Sequence, residues 1–127
     1  MADAKSAKDI PEALLERYSS GQCVVLALVI NRLFGLPLKA QVETIGGEAV
    51  IAHAYNTLPK TNQEVDIYGI QEQVDVFSDE MICQFRDDEA FLAFIDSYDN
   101  GEIDSQEYTQ AEIVVQKYLQ KDIKPHL

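Results

Sequence analysis

The sequence predicts an α+β fold, in which a buried N-terminal helix packs on a small antiparallel sheet of about three strands and C-terminal helices follow. Three observations support this prediction. An apolar helical stretch comes early, at residues 23–34. Segments of strand composition separated by polar turns follow at residues 38–70, and acidic, helix-forming sequence fills the remainder.

Two helices are predicted in the first third of the chain. Residues 1–8 are polar and are expected to be a disordered start. The first helix begins after Asp9, a favourable cap residue, with Pro11 in its first turn, and runs to about Tyr18. The second helix spans Gln22 to Phe34 and is ended by the glycine and proline that follow. Its sequence is apolar on nearly every side, which is typical of a buried helix.

The middle of the chain predicts an antiparallel meander. The segments LKAQVETI, AVIAHAYNTL and EVDIYGI have strand composition, and Gly-Gly and PKTNQ separate them as turns. Alternation places His53 and Tyr55 on one face of the second strand, and Glu64, Asp66 and Tyr68 on one face of the third. If the PKTNQ turn closes a hairpin, His53 and Asp66 become cross-strand neighbours.

The last third of the chain is predicted to be helical. Residues 78–86 are a short helix candidate, and the pair Asp87-Asp88 is expected to open a helix that extends to Tyr98. A final helix is predicted from Ser105 to Gln120. This order of elements is typical of helices segregated from an antiparallel sheet.

Length and charge restrict the classes of function. The 127 residues suffice for one domain, with a helix and sheet core at 9–69 and an acidic helical part at 70–127. The net charge of −12 arises from residues 64–127, which contain 16 acidic and four basic residues. This sign opposes contacts to phosphates, so no nucleic acid partner is expected. An acidic half suits either simple solvation or docking to a basic protein.

Membrane insertion and secretion are not predicted. The longest apolar run has eight residues, far fewer than a membrane span requires. The N-terminus lacks the pattern of a secretory signal, and two isolated cysteines do not form a disulfide framework. We therefore expect a cytoplasmic protein, with export by a route without a classical signal as the alternative. No pattern indicates an oligomeric state.

One set of residues suits nucleophilic catalysis. Cys23 lies in the first turn of the buried helix, with Ser20 as the expected cap, and a helix N-terminus favours thiolate and offers N–H groups to an oxyanion. A histidine on a neighbouring strand can take the thiol proton, and a carboxylate can orient that imidazole. Cys23, His53 and Asp66 occur in that order. Each also has a structural interpretation, as a buried thiol, a hydrogen-bonded strand residue and a turn residue.

The motifs SSGQC before an apolar helix, AHAY and VDIYG resemble papain-like cysteine hydrolases. HAYN, with an aspartate 13 residues after its histidine, is also similar to transglutaminase-type members of that superfamily and to glutamine deamidases with the same core. The resemblance implies that Cys23 is the nucleophile, His53 the base and Asp66 the orienting acid, with Gln22 a candidate for the oxyanion hole. It implies hydrolysis of an amide, whether a peptide bond, a glutamine side chain or an isopeptide.

Two alternatives stay open beside the hydrolase hypothesis. The chain has no tryptophan and no QxxxxxCW-type signature, which leaves room for an inactive descendant of the fold. A non-enzymatic acidic adaptor, inhibitor or chaperone that docks a basic protein partner is the alternative from another functional class. Acids clustered on one face favour docking, whereas acids scattered around an open cleft favour catalysis.

Residues 96–107 align with an EF-hand calcium loop. The candidate ligands are Asp96, Asn100, Glu102, Asp104 and Glu107. Tyr98 occupies the third ligand position, which predicts a weak site, and an acidic turn between two helices explains the same residues. The spacing of histidines and cysteines does not predict a structural zinc site, and no nucleotide-binding loop is found. No cofactor is therefore expected, with weak calcium binding as the possible exception.

Overall fold

The computed structural model describes residues 7–19, 22–71, 81–85, 87–97 and 103–127. It confirms the α+β class, because helices accompany a sheet whose strands are all antiparallel.

The N-terminal helices agree with the sequence prediction. A 3₁₀ turn at Ala7–Asp9 precedes α1 (Glu12–Ser19) and α2 (Cys23–Phe34). Eight of the 12 residues of α2 are buried, as its apolar sequence predicts. Gly35 ends the helix at a φ of 72°, where glycine avoids the Cβ strain of other residues, and its N–H donates to Asn31 O.

No single helix of the described chain is long and apolar enough to cross a membrane. Only α1 and α2 taken together reach that length and composition, and the two are bent by 91° relative to each other.

Within the described residues the sheet has five strands, which corrects the expectation of about three. They are β1 (Leu38–Ile45), β2 (Glu48–Thr57), β3 (Glu64–Asp66), β4 (Gly69–Gln71) and β5 (Met81–Phe85). The strand order is β4-β3-β2-β1-β5. The long hairpin of β1 and β2 is therefore the centre of the sheet, and β4 and β5 are its edges.

The helix predicted at residues 78–86 was wrong where the structure describes it, because residues 81–85 form β5. The strand pairs with β1 from Leu38↔Phe85 to Val42↔Met81. Strand β2 pairs along one edge of β1, and the other edge of β1 is open to pairing with residues 81–85. Pairing at that edge outweighs a weak local helix preference. Residues 78–80 lie outside the described part of the chain.

The predicted third strand, EVDIYGI, is divided into two. A tight turn between Asp66 and Gly69 separates β3 from β4, and the two residues pair with each other. The Asp66 side chain accepts a hydrogen bond from Tyr68 N at 2.9 Å, the interaction by which aspartate stabilises turns. Gly69 has a φ of 91°, which a side chain would strain.

The C-terminal helices follow the prediction. They are α3 (Asp88–Ser97), α4 (Ser105–Val114), a π-helical segment (Val115–Leu119), α5 (Gln120–Ile123) and a 3₁₀ turn (Lys124–His126). Asp87 caps α3 by accepting a hydrogen bond from Ala90 N at 2.9 Å. The π-helical segment continues α4, so the chain is helical through the region predicted at residues 105–120.

Helix α2 is the centre of the core and belongs to both apolar clusters. Its residues Leu26 and Ile30 pack in the cluster with β3 and the C-terminal helices, and Ala27 and Leu28 pack in the one with β1, β2 and α3. A buried polar contact also fixes α2 to β2, because Asn56 Nδ2 donates to Ala27 O at 3.0 Å.

Candidate functional site

Cys23 is the first residue of α2 and a free thiol. Gln22 precedes it with non-helical dihedral angles, and its side chain makes no cap hydrogen bond to the first N–H groups of the helix. Ser20, the expected cap, lies outside the described residues. Cys23 is 5% exposed. A thiol therefore stands at the N-terminus of a buried helix, as the sequence predicts.

His53 lies at an irregularity in the central hairpin. It pairs with Gln41, but the next pair is Ile51 with Val42, so β2 has one more residue than β1 at this point. Such a β-bulge changes the direction of neighbouring side chains and is frequent beside functional sites. The imidazole stacks on Tyr55, with ring centroids 5.2 Å apart and planes inclined by 20°.

Asp66 uses its two carboxylate oxygens for different partners. His53 Nε2 lies 3.5 Å from Oδ2. Oδ1 accepts hydrogen bonds from Tyr68 N at 2.9 Å and from Gln71 Nε2 at 2.7 Å. These two donors fix the carboxylate plane, so that Oδ2 stays directed at the imidazole. The cross-strand contact of His53 and Asp66 is the one that strand alternation predicts.

His53 also interacts with Cys23, which brings the three predicted residues together. Burial opposes protonation of the imidazole, but hydrogen bonds to Asp66 and Cys23 and the coulombic effect of both raise the pKa of His53 to about 9. The imidazole is therefore protonated at neutral pH. The stabilisation that this provides is complete below pH 6.5 and is lost as the pH rises through about 9.

Gln22 is held by helix α4. Its Nε2 donates to Glu107 Oε1 at 3.2 Å, and its Oε1 is buried without a hydrogen-bond partner in the described structure. The amide donor that an oxyanion hole would use is thus directed at Glu107. The side chain adjoins Cys23 in sequence, but the described contacts assign it to the junction of α2 and α4.

A third carboxylate lies beside His53 and Asp66. The ligand atoms of His53, Glu64 and Asp66 are all within 4.8 Å of one another, a spacing at which three side chains can share a metal ion. Glu64 and Asp66 are 5% and 7% exposed. Burial, and secondarily the charge of Glu64, raises the pKa of Tyr55 to about 12. This region of the sheet is therefore buried and electronegative.

The predicted calcium ligands are only partly described. Asn100 and Glu102 lie outside the described residues, as does the side chain of Asp96. Asp104 is the N-cap of α4, where its Oδ1 accepts from Gln106 N at 2.6 Å and from Glu107 N at 3.4 Å. Glu107 accepts from Gln22. The two described carboxylates thus have structural partners, and calcium binding at residues 96–107 stays a prediction.

Three residues of the site were not singled out as site residues from the sequence. Gln71 orients Asp66, Asn56 ties the strand of His53 to the helix of Cys23, and Glu64 adds a second carboxylate beside the imidazole. Alternation did place Glu64 on the face of Asp66. The role of Gln71 depends on the turn before β4, which the single predicted strand did not contain.

No protein family, curated protein or solved structure matches this chain.

Proposed function

We propose that the protein is a small cysteine-dependent hydrolase that acts on an amide bond. The contact of His53 with both Cys23 and Asp66 carries this proposal. Three separate elements, α2, β2 and β3, each contribute one of the side chains. The arrangement has the roles of a thiol nucleophile, a proton carrier and an orienting carboxylate.

The reaction follows from these roles. The Cys23 sulfur, whose proton is already held by the His53 imidazolium, attacks the amide carbonyl carbon and forms a tetrahedral intermediate. Backbone N–H groups at the start of α2 stabilise its oxyanion. The C–N bond breaks, the leaving nitrogen takes the proton from His53, and a thioester remains. Water, which gives a proton to the now neutral His53, then hydrolyses the thioester to a carboxylic acid, and the C–S bond breaks to return Cys23 and His53 to their starting state.

The experiment measures alkylation of Cys23 by iodoacetamide, located by peptide mass spectrometry, with Cys83 on β5 as the internal reference. Cys23 is only 5% exposed, and a thiol this buried reacts slowly in a folded protein unless it is activated. Fast alkylation would therefore indicate activation. We expect Cys23 to react faster than Cys83, and His53→Ala to slow it by at least about tenfold because the proton acceptor is lost. His126→Ala, which removes the exposed histidine, is the control.

Thermal unfolding must show that His53→Ala is folded, and His53→Gln provides a second variant if it is not. Equal alkylation rates with and without His53 would contradict the proposal. Release of ammonia from glutamine peptides, or of new amino termini from peptide bonds, then distinguishes the substrate classes.

The separation of charge along the chain favours a second candidate function. Residues 64–127 contain 16 acidic and four basic residues, whereas residues 1–63 contain six of each. Acidic residues that lie together on a protein surface attract basic proteins and raise the association rate. We propose docking to such a partner as the alternative. A cytoplasmic location fits either function, because a reducing compartment keeps Cys23 as a thiol.

A further inference from the structure

The side chains of His53, Glu64 and Asp66 form a group that the hydrolase proposal uses only in part. Glu64 has no role in the triad, yet its carboxylate lies within 4.8 Å of the ligand atoms of the other two residues. We propose that these three side chains bind a divalent transition metal ion with the ligand preference of Zn²⁺. This binding does not require that the protein be a hydrolase.

The geometry of the group is close to that of a tetrahedral site. Two ligands at zinc distances of 2.0–2.1 Å, separated by the tetrahedral angle, are about 3.3 Å apart. His53 Nε2 and Asp66 Oδ2 are separated by 3.5 Å, so an ion needs little movement to bind between them. The Glu64 carboxylate must approach by about 1.5 Å at most, since all the ligand atoms lie within 4.8 Å of one another.

The chemistry of the three donors selects the class of ion. One imidazole nitrogen and two carboxylates are suitable ligands for Zn²⁺ and other divalent transition metal ions, whereas Ca²⁺ and Mg²⁺ prefer oxygen ligands alone. Three protein ligands leave one tetrahedral position for water or another small ligand. Both carboxylates are more than nine-tenths buried, and a dication would offset the negative charge that they place inside the protein.

The surroundings of the ligands hold them in place before an ion binds. Tyr68 N and Gln71 Nε2 occupy Asp66 Oδ1 and leave Oδ2 on the side of His53. The imidazole is held against the ring of Tyr55. Interactions of this kind orient metal ligands and increase their affinity.

Metal binding and thiol chemistry would exclude each other, and this consequence rests on the proposed hydrolase function. An ion on His53 Nε2 and Asp66 Oδ2 separates the imidazole from the carboxylate that orients it. It also keeps the imidazole unprotonated, so that it cannot supply a proton to a leaving group. The ion would therefore act as an inhibitor of the hydrolase.

The experiment titrates the whole chain, carrying Cys83→Ser to remove one competing thiol, with Zn²⁺ in competition with a chromophoric chelator. We expect one ion per chain, and Glu64→Gln should weaken the affinity by about tenfold or more because one ligand is lost. Glu48→Gln, which removes an exposed carboxylate at the start of β2, is the control. A site that also survives Cys23→Ser is formed by the three side chains and not by the thiol.

Absence of a stoichiometric site, or equal affinity in Glu64→Gln and the control, would overturn the proposal. Urea unfolding in EDTA shows whether each variant is folded. Alkylation of Cys23 in EDTA tests the hydrolase proposal separately. Tight zinc binding together with alkylation that does not depend on His53 would support the metal site and contradict the hydrolase proposal. No zinc binding together with alkylation that depends on His53 would contradict the metal site and support the hydrolase proposal.

Discussion

Among the residues of the site, Asp66 is central because its two carboxylate oxygens contact different partners. One oxygen faces His53 Nε2 at 3.5 Å, and the other is held by Tyr68 N and Gln71 Nε2. Without the second set of contacts the carboxylate could rotate about its side-chain bonds and leave the imidazole. Gln71 is therefore a positioning residue, which acts on His53 through Asp66.

Replacing Gln71 with Ala tests this role. The backbone donor of Tyr68 remains, so we expect the alkylation rate of Cys23 to fall by about 3- to 10-fold, less than in His53→Ala. Gln84→Ala, an exposed glutamine on the opposite edge strand, is the matched control, and both rates are measured by mass spectrometry. The effect should be absent when His53 is already Ala. A rate in Gln71→Ala equal to that of the control would show that Asp66 needs no such support.

The sequence predicts part of the site for clear physical reasons. Strand alternation and a short polar turn suffice to place His53 beside Asp66, because both depend only on local spacing. Helix boundaries place Cys23 at the start of α2. The hydrogen bonds of Gln71 and Asn56 could not be predicted, since they depend on a turn geometry and a helix-to-strand distance that residue spacing does not specify.

At the scale of elements, the turn between β3 and β4 connects the site to the N-terminal segment. A Cβ built at Gly69 would lie 2.8 Å from Ala7 Cβ, closer than such atoms approach. Ala7 is itself fixed, because its N–H donates to Asp122 Oδ2 at 3.0 Å. The turn that follows Asp66 thus packs against the chain start and against the C-terminal helices.

We predict that Gly69→Ala destabilises the protein more than Gly47→Ala. Both positions have a positive φ, 91° and 86°, so both variants carry backbone strain of about 1–2 kcal/mol. Only at position 69 does the methyl group also meet another atom, which adds about 1–3 kcal/mol, whereas nothing lies within 4 Å at position 47. Urea unfolding of both variants measures the difference. Equal midpoints would show that the contact with Ala7 is readily relieved.

The sheet also shows where prediction of elements from sequence fails. The helix α2 and the hairpin of β1 and β2 have strong, long patterns, and these were predicted. The three short strands are different: β3 and β4 have three residues each and β5 has five. A strand this short has little periodicity of its own, and it forms because a neighbouring strand offers unpaired backbone groups. Whether such a short strand forms therefore depends on the strand with which it pairs.

At the scale of the whole molecule, the distribution of charge bears on the choice between catalysis and docking. The net charge of −12 opposes the compact state through repulsion among like charges. If the acids of residues 64–127 cluster in space, each one lies in a strongly negative field. If they are dispersed among the basic residues of the first half, the field at each acid is weak.

Neutralising one acidic residue in 1–63 and one in 64–127 distinguishes the clustered from the dispersed arrangement. In a clustered arrangement, Glu112→Gln in α4 should raise the free energy of unfolding by a few tenths of a kcal/mol, about the size of a like-charge interaction on a helix surface. Glu48→Gln, an exposed acid of the balanced half, should change it less. Because salt screens exposed charges beyond about 8 Å at physiological ionic strength, the difference in unfolding free energy between the variants should shrink as sodium chloride is raised from 0.01 to 0.5 M.

Urea unfolding at both salt concentrations provides the measurement. Identical responses of the two variants would indicate dispersed acids and would remove the main support for docking to a basic partner.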